Sequence, residues 1–108
     1  GTGTNTGGGT VDNAALAAVG QRLDLSHLLQ KLVGAGYARQ PLVERPGEVS
    51  LRGDVLDVFG FAAEQPLRIE LFDSEVESLR SFDAETQRSV EKLERAAILL
   101  ASDPGGIE

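Results

Sequence analysis

Residues 67–82 read LRIELFDSEVESLRSF, and this stretch decides the fold class. Apolar and polar residues alternate from residue 67 onward, a period of two that indicates a half-buried strand. Asp73-Ser74 is a turn signal, and we expect the chain to reverse there into a second strand over residues 76–82. Two strands joined by such a short turn predict an antiparallel hairpin.

The sequence before this hairpin continues the strand pattern. Pro46-Gly47 marks a turn, and Val49 and Leu51 alternate with polar neighbours after it. Gly53-Asp54 predicts either a two-residue hairpin turn or a bulge. After the hairpin, residues 86–101 fit two interpretations, a helix by spacing or a buried strand by composition.

One helix is predicted ahead of the strands. Its apolar residues fall at i, i+3, i+4, i+7 and i+8, which places them on one helical face: Leu25, Leu28, Leu29, Leu32 and Val33. Asp24 is the expected N-cap, and Gly34 or Gly36 the expected end. A helix followed by a run of short strands predicts a small α+β domain with an N-terminal helix packed on an antiparallel sheet.

The composition divides the chain into three parts. Residues 1–18 are rich in Gly, Thr and Ala, and we expect a flexible lead, because such residues bury little apolar area. Within it, the Ala-rich run 11–19 allows a short helix. Residues 19–101 are the predicted domain, and residues 102–108 a flexible tail.

Charge and cysteine content exclude several classes of function. The 108 residues carry 10 Lys+Arg and 17 Asp+Glu, a net charge of −7, which argues against direct binding of nucleic acid. No Cys is present, so there is no disulfide framework and no thiol chemistry. No apolar run approaches the length of a membrane span and no signal peptide opens the chain, so we expect a cytoplasmic protein without a membrane partner.

Catalytic and metal chemistry find little support. His27 is the only His, and every Ser/His/Asp catalytic set would need it, so no such set can be argued. A single His without Cys is also a poor metal site. The carboxylates of Asp54, Asp57, Glu75 and Glu77 leave open a small divalent-metal-binding domain. Alternation with arginines favours ordinary cross-strand ion pairs for them. We therefore predict no enzyme activity, no metal and no cofactor.

Exposed arginines are the more informative feature. Arg39 and Arg52 lie on the two predicted strands that flank Pro46-Gly47, and together they suit bidentate capture of a partner's carboxylates. The alternative is internal pairing with nearby acidic residues: Glu44, Glu48 or Asp54. The aromatic residues are predicted to pack in the core, with Phe61 the one that fits an exposed anchor instead.

From Leu23 to about Leu100, the sequence resembles the second domain of bacterial transcription-repair coupling factors (Mfd), a domain shared with the excision-repair protein UvrB. The matching pieces are Gly36-Tyr37-Ala38-Arg39, Gly47-Glu48, Arg52-Gly53-Asp54, Leu56-Asp57-Val58-Phe59, Pro66-Leu67-Arg68-Ile69-Glu70, Glu75-Val76-Glu77-Ser78-Leu79-Arg80, Phe82-Asp83 and Thr86-Gln87-Arg88-Ser89. Many positions match in register, so this signal is far more specific than any single motif. The resemblance implies a strongly bent antiparallel sheet and strands within residues 86–100.

The resemblance also implies a function. In that family the domain is a non-catalytic docking module for UvrA, the damage-recognition ATPase of nucleotide excision repair, while ATP and DNA are bound elsewhere in the parent chain. A distant, autoinhibitory domain of the same chain is expected to cover the docking surface at rest. The candidate partner-binding residues are Arg39, Ser50, Arg52 and Asp54.

Ser50 and residues 86–89 bear on which parent protein is involved. Arg39 and Arg52 stand at family arginines, whereas Ser50 stands where UvrB-like sequences usually have another arginine. Residues 86–89 also follow the coupling-factor pattern. The sequence therefore predicts the coupling-factor domain, with the equivalent domain of UvrB as the alternative.

Overall fold

The computed structural model describes residues 10–11 and 14–100, which form one helix and nine strands. The helix, α1, spans Leu25–Gly34. The strands are β1 (Thr10–Val11), β2 (Ala14–Ala18), β3 (Ala38–Arg39), β4 (Glu48–Arg52), β5 (Val55–Phe59), β6 (Leu67–Phe72), β7 (Glu75–Phe82), β8 (Ser89–Leu93) and β9 (Arg95–Leu99).

Six strands form the main sheet in the order β3-β4-β5-β6-β7-β8. All neighbours are antiparallel except β3 and β4, which run parallel. The register shifts twice, between Glu70 and Leu71 and between Ser81 and Phe82. Such irregularities bend a strand and increase its twist. The predicted α+β fold with a bent, mostly antiparallel sheet is therefore confirmed.

Helix α1 covers one face of this sheet. Its N-cap is Asp24, whose Oδ1 accepts a hydrogen bond from the His27 N–H at 3.2 Å, as the sequence predicts. The four leucines of its apolar face are buried: Leu25, Leu28, Leu29 and Leu32. They pack in one cluster with the inward residues of the strands, among them Val49, Leu56, Ile69 and Leu79. No helix within the described part of the chain is long and apolar enough to cross a membrane.

Two tight turns connect the central strands. Arg52 pairs with Val55, so Gly53-Asp54 is a two-residue hairpin turn and not a bulge. Gly53 has φ 59°, which suits a glycine at the first central position of such a turn. Asp73-Ser74 joins β6 to β7 as predicted, since Phe72 pairs with Glu75 across it.

A second, three-stranded sheet has the order β1-β2-β9. Strand β2 pairs with β9 along its whole length, and Ala15 and Ala17 are buried. The short helix allowed over residues 11–19 is therefore wrong, because pairing with β9 overrides the helical propensity of alanine. Residues 14–18 also belong to the folded domain, which begins before the predicted boundary at residue 19. The rest of the predicted lead, apart from β1, and the predicted tail lie outside the described residues.

Residues 86–100 contain two strands, β8 and β9, as the family resemblance implies. Leu93 pairs with Leu79 on the main sheet, and Ile98 is 3% exposed within the core. The helical spacing in this stretch is coincidental, because β8 and β9 belong to different sheets and turn their apolar residues to different neighbours.

The segment between β3 and β4 contributes to a second group of buried side chains, outside the main core cluster. Three of the buried side chains that lie outside the main core cluster are Val43, Phe59 and Phe82. The Gln87 Nε2 donates to the Val43 carbonyl at 3.1 Å, which fixes this segment to the loop before β8. Phe59 and Phe82 are thus buried as predicted, whereas Phe72 is 71% exposed and the prediction of a core role for it is wrong.

Candidate functional site

A shallow groove of about 330 Å³ lies where β3 and β4 end at the edge of the main sheet. Two arginines line it, Arg39 from the end of β3 and Arg52 from the end of β4. The other lining residues are Gln40, Pro41, Ser50 and Leu51. The structure thus brings together the two arginines that the sequence singles out.

The strand register sets the spacing of the two arginines. Arg39 lies level with Val49 in the parallel β3–β4 pair, so Arg52 stands three positions further along β4. At about 3.3 Å per residue, that places them about 10 Å apart along the strand direction. The long side chains of two arginines span such a distance, and one extended acidic segment could meet both.

Both guanidinium groups are available to a partner. Arg39 and Arg52 are exposed, and within residues 10–11 and 14–100 no carboxylate lies within ion-pair distance of either. Glu48, one of the predicted internal partners, is occupied: its Oε1 accepts from the Glu44 and Arg45 backbone N–H groups at 2.8 and 3.0 Å. Among the described residues, neither Arg39 nor Arg52 forms the internal ion pair that was the alternative prediction.

Ser50 lies in the groove but does not face solvent. It is 3% exposed, and its Oγ donates to the Pro41 carbonyl at 3.2 Å. This hydrogen bond ties the segment after β3 to β4 and so shapes the wall between Arg39 and Arg52. The structure gives Ser50 a positioning role and leaves it no free surface for a direct partner contact.

Asp54 lies apart from the arginine groove. It is exposed in the β4–β5 turn and lines a different groove of about 630 Å³, together with Arg22 and Ser74. Its backbone carbonyl accepts from the Leu71 N–H at 2.9 Å, which joins this turn to the end of β6. Of the four predicted partner-binding residues, the groove contains Arg39, Ser50 and Arg52 but not Asp54.

A cross-strand ion pair, as the sequence predicts for Asp57, lies beside Ser50. Asp57 is 2% exposed and pairs with Arg68 through two hydrogen bonds, Nε to Oδ1 at 2.8 Å and Nη2 to Oδ2 at 2.9 Å. Arg68 also covers the Phe82 ring, with its Cζ 4.4 Å from the ring centroid. The hydrogen bond to Asp57 raises the pKa of the Arg68 guanidinium above its ordinary value, although partial burial opposes this.

The sequence holds a signal for this pair. Asp57 and Arg68 lie directly opposite each other on β5 and β6, and Ser50 lies opposite Asp57 on β4. Opposite charges at facing positions of adjacent strands are the pattern that pairs side chains across a sheet. Finding the pair requires the strand register, which a single sequence does not supply.

The alternative of a divalent-metal site is not supported by the geometry. Asp57 is committed to Arg68, and in the described part of the chain no three acidic or histidine side chains come together in a cluster that could hold an ion. The four carboxylates of that hypothesis do not share one site.

Tyr37, two residues before Arg39, is buried in the core. It is 2% exposed, its hydroxyl donates to the Leu99 carbonyl at 2.6 Å, and its ring contacts that of Phe61 with centroids 4.2 Å apart. Burial raises the pKa of the Tyr37 hydroxyl, partly offset by a backbone hydrogen bond at Phe61. Phe61 thus packs on the core and is not an exposed anchor; its ring also lies against Gly47, which has φ +88°.

Comparison with known proteins assigns the family. The family model described as "UvrB interaction domain" matches residues 16–103. The chain belongs to the UvrB interaction domain family, whose members are interaction modules and not catalytic domains.

Curated relatives agree with this assignment. The chain is 47% identical over 92 residues to a transcription-repair-coupling factor of Staphylococcus haemolyticus, which covers 85% of this chain. It is 49% identical over 85 residues to one of Staphylococcus aureus (strain bovine RF122 / ET3-1), covering 79% of this chain. The chain spans 8% and 7% of the length of these two relatives.

Proposed function

We propose that this domain is the docking module of a transcription-repair coupling factor, and that it recruits UvrA in the cytoplasm during transcription-coupled nucleotide excision repair. The observation that carries the proposal is the arginine groove: Arg39 and Arg52 are exposed, line one groove and lack a carboxylate partner among the described residues. Arginines free of internal pairs are the usual anchors for a partner's carboxylates.

The charge of the rest of the domain fits a protein partner better than DNA. The chain carries a net charge of −7, so a phosphate backbone would be repelled over most of the surface. A partner protein needs only local complementarity to the two arginines. We propose that another domain of the parent chain covers this same groove at rest. We propose that the parent protein is an ATP-dependent DNA translocase.

The equivalent domain of UvrB is the second candidate. The relatives at 47% and 49% identity are named transcription-repair-coupling factors, which favours the first. Ser50 supports the same choice, because it stands where UvrB-like sequences usually carry an arginine and is buried here. The parent gene distinguishes the two: an intact Walker loop GxxxxGK[ST] upstream of the domain would favour UvrB.

Charge reversal of both groove arginines tests the proposal. We expect Arg39→Glu with Arg52→Glu to abolish measurable binding to UvrA in a calorimetric titration. Loss of one arginine from a charge pair buried at an interface costs about 2–5 kcal/mol, or roughly 30-fold or more in Kd. Circular dichroism should show an unchanged fold, because neither side chain has an internal partner among the described residues.

A matched control uses two exposed arginines elsewhere. Arg88→Glu with Arg95→Glu makes the same change in net charge but lies outside the groove. This variant should bind UvrA with nearly wild-type affinity. If the folded groove variant binds as tightly as the wild type, the site is wrong; if the wild-type chain does not bind UvrA at all, the proposed function is wrong.

A further inference from the structure

Phe72 is the most exposed large apolar side chain in the described part of the chain, at 71%. It ends β6, directly before the turn to β7. Leu71 beside it packs against the core, so strand alternation directs the Phe72 ring to the opposite face of the sheet. A lone exposed aromatic ring contributes nothing to the core and is the kind of residue that interfaces bury.

Backbone hydrogen bonds tie the turn that follows this ring to neighbouring segments of the chain. Asp73 and Ser74 both adopt positive φ, 58° and 69°, which is uncommon for residues other than glycine. The turn is tied to its surroundings by two backbone hydrogen bonds: the Leu23 N–H donates to the Ser74 carbonyl at 3.0 Å, and the Leu71 N–H to the Asp54 carbonyl at 2.9 Å. An anchor presented on a rigid tip loses little freedom on binding.

Phe72 shares its sheet face with one of the groove arginines. Arg52 pairs with Val55, and Val55 pairs with Glu70, which lies two residues before Phe72 on the same strand. Two strand spacings and two residue steps put the Cα atoms of Arg52 and Phe72 about 12 Å apart. The arginine groove and the exposed ring are thus within the footprint of one standard interface.

The charges around the ring are not uniform. Arg52 lies on one side, with the half-buried Glu70 between it and the ring, whereas Asp73 and Glu75 are exposed at the turn on the other. A partner that complements this arrangement has an apolar recess for the ring, carboxylates toward Arg52, and cationic or N–H groups toward the turn.

We propose that Phe72 is the aromatic anchor of the docking surface and enters an apolar recess of the same partner that pairs with Arg39 and Arg52. This inference rests on the function proposed above and extends the docking surface from the edge of the sheet to the β6–β7 turn. The ring supplies apolar burial, and the arginines fix the orientation of the complex.

Alanine substitution tests the anchor. Phe72→Ala should weaken UvrA binding at least 10-fold in a calorimetric titration, and Phe72→Tyr should retain it within about 3-fold. The matched control is Val90→Ala: Val90 is 54% exposed on β8, near the opposite end of the sheet, and its truncation should change the Kd by less than 2-fold. All variants should melt within about 2 °C of the wild type.

Each failure has a different meaning. If wild-type chain and Phe72→Ala bind UvrA equally, the anchor is wrong while the proposed function stands. If the wild-type chain does not bind, the proposed function fails first and the anchor falls with it. If Phe72→Ala loses stability like a core substitution, the ring is not exposed in solution and the inference is overturned.

Discussion

The Asp57–Arg68 pair allows the sharpest test of how this domain holds its shape beside the arginine groove. Asp57→Asn keeps the size of the side chain and removes its charge, which leaves the Arg68 guanidinium without its counter-ion. The matched control is Asp54→Asn, a substitution of an exposed aspartate three residues earlier in the turn. Only the first change should affect stability, because only Asp57 is buried and paired.

The expected loss follows from the burial of the two partners. Removing one member of a buried, hydrogen-bonded ion pair costs about 3–5 kcal/mol, because the other charge remains uncompensated. The Arg68 side chain is 18% exposed, so water can partly solvate its charge once the partner is lost. The Asp57 side chain is only 3% exposed. We therefore expect a loss of about 2–3 kcal/mol in the free energy of unfolding. For a domain of this size, that lowers Tm by roughly 10–20 °C.

Urea unfolding followed by circular dichroism measures this loss directly. A double variant separates the charge from the packing: Asp57→Val with Arg68→Leu replaces the pair by apolar side chains and should recover most of the stability of the wild type. The reasoning is refuted if Asp57→Asn melts within 2 °C of the wild type. The prediction also fails if the double variant loses as much stability as the single variants Asp57→Val and Arg68→Leu lose together.

Two further predictions concern Gly47 and Tyr37. A Cβ at Gly47 would lie 3.0 Å from the Phe61 ring at φ +88°, whereas a Cβ at Gly20 meets nothing within 4 Å at φ +91°. The free energy of unfolding of Gly47→Ala should therefore be about 1 kcal/mol lower than that of Gly20→Ala. Equal losses of stability in urea titrations would show that the ring moves aside freely. Tyr37 is the only Tyr and no Trp is present, so tyrosinate absorbance reports this hydroxyl alone. Because burial raises its pKa above the unfolded value of about 10, its contribution to stability is complete below pH 10 and is lost as pH rises through the folded pKa. A midpoint at or below 10 would contradict the buried placement.

Local patterns determine much of this fold. The alternation in β6 and β7, the turn at Asp73-Ser74 and the leucines of α1 depend on neighbours within a few residues, so a single sequence reveals them. Strand β2 is different, because alanine favours a helix on its own and becomes a strand only by pairing with β9, some eighty residues away.

The site shows the same division between local and distant information. Arg39 and Arg52 were identifiable from their position on predicted strands and from the family resemblance. The family resemblance makes Ser50 a candidate, but its burial depends on the segment after β3, and no local pattern indicates the parallel pairing of β3 with β4. Phe72 is a large apolar residue, which favours a core role for it. The alternation in β6, however, places it on the face opposite Leu71, where it is exposed.

The small sheet has a consequence for how such a module is carried by a longer chain. Ala18 pairs with Arg95, and the Val19 N–H donates to the Glu94 carbonyl at 2.9 Å, so the chain departs from this sheet and returns to it at neighbouring positions. Helix α1 and the whole main sheet are one excursion between them. A two-residue turn in place of that excursion would leave β2 and β9 as an ordinary hairpin. In engineering terms, residues 19–94 are one insertion between the two strands of a β-hairpin, and the proposed docking surface lies entirely within that insertion.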